Sequence, residues 1–72
     1  MRYFAVFEGV PSDDGVSRIE WAVIESERES VALKSARHGS DGAAWIGIYR
    51  DLSDYVMGRL PLTSWQLPRR GA

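Results

Sequence analysis

Arg2-Tyr3-Phe4-Ala5-Val6-Phe7-Glu8-Gly9-Val10 is the stretch on which the fold turns. Aromatic and β-branched residues dominate it and Gly9-Val10-Pro11 closes it, so it reads as a strand. Side chains alternate between the two faces of a strand. Tyr3, Ala5 and Phe7 therefore share one face, and Phe4, Val6 and Glu8 share the other. Both faces are largely apolar. Such a strand is either central and covered on both sides, or presents one apolar face to a partner.

Reading outward, Pro11-Ser12-Asp13-Asp14-Gly15 is a turn, with Pro fixing φ and Gly supplying positive φ. Its aspartate pair lacks the further oxygen ligands of a calcium loop. Val16 to Ile24 is a second strand with cleaner alternation: Ile19, Trp21 and Val23 on one face, Arg18, Glu20 and Ala22 on the other. The two strands pair most simply as an antiparallel hairpin. Ser26-Glu27-Arg28-Glu29 matches a capping box and predicts a helix running to about His38, with Gly39 as its C′ residue. Its apolar stripe, Ala32, Leu33 and Ala36, is narrow, and Val31 points away from it. Lys34, Arg37 and His38 fall in the last turns, where positive charge is favoured.

Gly39-Ser40-Asp41-Gly42 is a second turn, and Ala43 to Arg50 a third strand. Trp45, Gly47 and Tyr49 lie on one of its faces, Ile46 and Ile48 on the other. Residues 51–60 admit two readings. In one, Asp51 and Asp54 cap a short helix with Leu52, Tyr55, Val56 and Leu60 inward. In the other, a four-residue loop leads into a strand from Tyr55 to Leu60, a reading that Gly58 favours. Thr63 to Leu67, bracketed by Pro61 and Pro68, reads as a short edge strand. The expected fold is α+β: a small antiparallel sheet in the order strand, strand, helix, strand, with one main helix on one face. Residues 1–68 form a single domain and residues 69–72 a flexible tail.

Composition narrows the function. A chain of 72 residues without cysteine has no disulfide or thiolate metal site with which to reinforce a small core. Nine Lys+Arg against ten Asp+Glu leave it neither basic enough for a non-specific duplex binder nor strongly acidic like a nucleic-acid mimic. The apolar run Tyr3 to Phe7 is too short for a signal peptide or a membrane span, so a soluble, cytoplasmic protein with no membrane contact is expected.

Little in the chain suggests chemistry. His38 is the one imidazole. Ser40 and Asp41 lie near it, but all three sit in one helix end and its turn, whereas a catalytic triad draws on separate elements. Gly39–Gly42 lacks the lysine and spacing of a phosphate-binding loop. No catalytic residue, metal site or cofactor is expected, and an enzyme is not.

Three Trp, three Tyr and two Phe remain to be placed. Phe4 and Val6 against Ile46, Ile48 and the alanine stripe account for a modest core. Tyr3, Phe7, Trp21, Trp45 and Tyr49 are then left over, and interfaces are enriched in such rings. These five, with Arg18, Glu20 and Arg50 as rim charges, are the candidate partner-binding residues of a non-catalytic protein-binding module. A symmetric homodimer would bury the same face. Aromatics on a small sheet with arginines nearby also suit single-stranded nucleic acid, the less favoured reading given the charge.

The layout of residues 1–50, a hairpin, one capped helix and a further strand, resembles that of small phage-encoded inhibitors of the anti-CRISPR type. It is also similar to HicB-type antitoxins, although the glycine- and aspartate-rich strand pattern of that family is absent. The first likeness implies a small inhibitor or adaptor that occludes a site on a larger complex, the second a toxin-neutralising antitoxin. Neither brings a motif with it, so neither transfers a functional residue.

Overall fold

The computed structural model of the chain describes residues 1–40 and 42–68. The expected tail, residues 69–72, and Asp41 lie outside them. Four strands, β1 (Arg2–Val10), β2 (Arg18–Glu25), β3 (Trp45–Tyr49) and β4 (Thr63–Gln66), form one antiparallel sheet in the order β2-β1-β3-β4. Helix α1 (Glu29–Gly39) connects β2 to β3, and the one-turn helix α2 (Leu52–Val56) connects β3 to β4. The α+β fold class is as the sequence indicates. β1 is a central strand, which explains why both its faces are apolar. β2 and β3 flank it, so the connection through α1 carries the chain across β1 from one side to the other.

Register decides which residues form the main core. Ala5 stands opposite Ile48 and Phe7 opposite Ile46, and residues directly opposite in a sheet share a face. Tyr3, Ala5, Ile46 and Ile48 therefore lie together beneath Ala32 and Ala36 of α1, with Phe7, Ile24, Leu33 and Trp65 packed around them. This corrects the expected grouping: Phe4 and Val6 belong to the other face, and Tyr3 and Phe7 are core. The alanine stripe is as read, and Val31 is exposed.

A bulge in β1 extends this core. Phe7 pairs with Glu20 but Val10 with Arg18, so β1 holds one extra residue. Gly9 absorbs it at φ +68°, a conformation that glycine adopts without penalty. A Cβ there would stand 2.7 Å from that of Ala44. The shift turns Val10 onto the face of Tyr3, where it is buried.

The helix ends differ from the sequence reading. Arg28, not Ser26, is the N-cap of α1, and it makes no side-chain cap. The Ser26 hydroxyl instead donates to the Arg28 carbonyl, so the capping box does not form. Gly39 is the last helical residue rather than C′, and Ser40 closes the helix. Residues 51–60 take the helical alternative, shortened. Asp51 accepts from the Ser53 amide, and the helix ends in a Schellman motif: the Gly58 amide donates to the Tyr55 carbonyl and the Arg59 amide to that of Asp54. Gly58, at φ +77°, is the residue that permits it. Val56 and Leu60, expected inward, are exposed.

Candidate functional site

The sheet face opposite α1 carries Phe4, Val6 and Glu8 of β1, Trp21 and Val23 of β2, Trp45, Gly47 and Tyr49 of β3, and Ser64 and Gln66 of β4. Among the described residues no long helix covers it, yet Val6 is 1 % exposed and Tyr49 is buried. The rings themselves form the cover. Trp45 lies flat over Gly47, where a Cβ would stand 2.2 Å from its Cη2. Tyr55 of α2 meets Tyr49 edge-on at 5.6 Å, and its hydroxyl donates to the Glu8 carboxylate at 2.7 Å. Phe4 and Trp21 meet at 6.1 Å. This face is a thin second core roofed by aromatic side chains.

The roof stops at β2. Ile19, Trp21 and Val23 alternate along the edge strand and are 62 %, 56 % and 48 % exposed. They make the most regular apolar row on the described surface. Arg18 and Glu20 are exposed at the same strand, with Arg18 3.5 Å from the Asp14 carboxylate. Arg50 is exposed at the far end of β3. Of the eight residues expected to meet a partner, the fold thus leaves Trp21, Arg18 and Glu20 together on β2. Tyr3 is 2 % exposed, Phe7 packs against the core, Tyr49 is buried and Trp45 is half-buried. Ile19 and Val23 were absent from the expected set, although their alternation with Trp21 was the available signal.

One carboxyl and two phenols are perturbed by local contacts. Hydrogen bonds from the Ser12 hydroxyl and the Val16 amide hold Asp14 below the ordinary carboxylate value and close the β1–β2 turn. Its hydrogen bond to Glu8, then desolvation, pushes the Tyr55 phenol up. Desolvation, then the Glu8 charge, pushes up Tyr49.

A second surface feature lies on the α1 side. A cleft of about 340 Å³ between the C-terminal half of α1 and β4 is lined by Lys34, Arg37, His38, Ser40 and Trp65 among others. The Arg37 guanidinium sits 4.8 Å above the Trp65 ring. Among the described residues no group of three or more His, Asp or Glu could hold a metal ion. No helix among them is long and apolar enough to cross a membrane.

Fold and surface together define a small α+β protein with one roofed and one helix-covered sheet face. No protein-family model, curated protein or solved structure matches the chain.

Proposed function

We propose that the protein is a non-catalytic protein-binding module, acting as a small inhibitor or adaptor that occludes a site on a larger partner. The observation that carries this reading is the row Ile19, Trp21, Val23, three large apolar side chains exposed side by side on an edge strand. Isolated apolar residues on a surface are ordinary; an ordered row centred on a tryptophan is the composition of an interface anchor. Arg18 and Glu20 add charge to the same edge strand, on its other face. Trp21→Glu tests it in capture from the native host, beside Leu60→Asp as a remote exposed control. Loss of one discrete protein from the Trp21 variant alone supports the reading, and identical capture by all three forms overturns it.

The cleft at Lys34, Arg37, His38 and Trp65 favours a second reading, single-stranded nucleic-acid binding, because cations beside an aromatic face suit phosphates and stacked bases. A salt-sensitive mobility shift with short RNA or DNA that Trp65→Ala abolishes would support it; the absence of any shift would end it.

A further inference from the structure

The backbone of β2 carries an inference that the side chains alone do not. The Met1 nitrogen donates to the Ser26 carbonyl at 2.8 Å, and the Ser26 amide donates to the Met1 carbonyl at 2.9 Å. Met1 and Ser26 are therefore a hydrogen-bonded pair, and such pairs recur at every second residue of an antiparallel ladder. The register runs without interruption from Arg2↔Glu25 to Phe7↔Glu20. Ile24, Ala22 and Glu20 thus turn their N–H and C=O groups towards β1. Ile19, Trp21, Val23 and Glu25 turn theirs outward, to the open edge of the sheet. Three of the four are the residues whose apolar side chains stand exposed.

We infer that this edge pairs with β2 of a second copy, antiparallel about a two-fold axis at Trp21, to give one continuous eight-stranded sheet. In that register Trp21 faces Trp21 of the second copy, and Ile19 faces Val23 in both directions. All six side chains fall on the same face, and the outward amides and carbonyls of these six residues find partners. The neighbouring register, centred on Ala22, sets Ile19 opposite Glu25 and loses this match. The strand is self-complementary in the sense a two-fold interface requires.

The edge also lacks several of the features that keep edge strands apart, although it carries Arg18, Glu20 and Glu25. Arg18–Glu25 contains no Pro, no Lys and no bulge, since the bulge lies on β1. The opposite edge is protected: β4 has four residues and prolines at 61 and 68 on either side. Pairing of one strand buries less than a standard interface, and the two Glu20 side chains approach diagonally on the far face, so the dimer is weak, in the micromolar range. Its consequence is that the second copy completes the proposed contact surface. The two Ile19-Trp21-Val23 rows become one patch, still pointing away from the sheet.

Sedimentation equilibrium of the full chain, from micromolar to millimolar, combined with amide exchange by NMR, tests this directly. The expected result is a concentration-dependent dimer in which the Ile19, Trp21 and Val23 amides gain protection as the dimer fills. A monomer throughout, or a dimer in which those amides exchange freely, overturns the proposal. Val23→Pro removes one outward N–H and no bond to β1; it is expected to raise the dissociation constant at least tenfold while the Ala22 and Ile24 amides stay protected. An undiminished dimer in a folded Val23→Pro protein overturns the proposal, and if the variant does not fold, the wild-type exchange pattern decides. The dimer shares β2 with the surface proposed to meet a partner protein but uses its backbone. A monomeric wild type that still captures its partner would therefore sink the dimer alone, whereas a dimer without capture would sink only the partner reading.

Discussion

Gly47 lies at the middle of the roofed sheet face, opposite Val6 on one side and Ser64 on the other. Its missing side chain is the space in which the Trp45 ring rests. Gly47→Ala should displace that ring and destabilise the protein by about 1–3 kcal/mol, the usual range for overpacking, with a matching change in tryptophan fluorescence. Tyr55 and Glu8 form the other fixed point of this face. A phenol whose pKa is raised on folding contributes stability that is present below its ordinary value of 10.0 and is lost as pH rises through the raised value. Alkaline unfolding followed by phenolate absorbance should therefore show α2 loosening above that range. Tyr55→Phe should reduce this sensitivity, leaving the part that the raised Tyr49 phenol contributes, and cost about 1 kcal/mol at neutral pH. Asp14 has the opposite sign: its carboxyl is held low, so its part in the turn is full above the ordinary carboxylate value of 3.8 and disappears as pH falls through the lowered one. The Val16 amide, which donates to it, should report that loss in an acid titration.

At the scale of elements, the two helices divide the termination signals differently from the linear pattern. Ser26 and Glu29 have capping-box spacing, but the chain leaving β2 at Glu25 is still held to Met1 through Ser26. The helix can begin only after that bond is made, which moves the N-cap to Arg28. Arg28→Asp should place an acceptor at the N-cap and raise stability by about 1 kcal/mol, as measured by thermal unfolding. The stop signal at Gly39 was legible as an end but not as a conformation; positive φ appears instead at Gly58, beyond α2. The alternation within each strand was readable throughout. The relation between strands was not, because alternation says which residues share a face within one strand and nothing about which faces of two strands coincide. The Phe4–Val6 group and the Ile46–Ile48 group are separately correct and face opposite ways.

For the molecule as a whole, two thin cores share one sheet. The α1 side is filled by alanines, aliphatic residues and Tyr3, with Phe7 and Trp65 packed against them, and the opposite side is closed by rings lying on their own sheet. This sorts the aromatics into members of the fold and members of the surface, and unfolding experiments should separate them. Tyr3→Ala should cost about 3–5 kcal/mol, a large fraction of the stability of a domain this small. Trp21→Ala should cost about 1 kcal/mol or less, since more than half of that residue is already in water. Similar losses at both positions in denaturant titrations would show that Trp21 belongs to the fold. The sequence by itself determined the elements outside residues 51–60, the two apolar faces of β1 and the presence of more aromatic surface than α1 can cover, because composition and periodicity are local properties of the chain. Only the tertiary structure decided where that surface went. The register of β3 on β1, the bulge at Gly9 and the fit of Trp45 over Gly47 are contacts between residues far apart in sequence. They leave the β2 edge, with Ile19, Trp21 and Val23, as the ordered apolar row open to a partner.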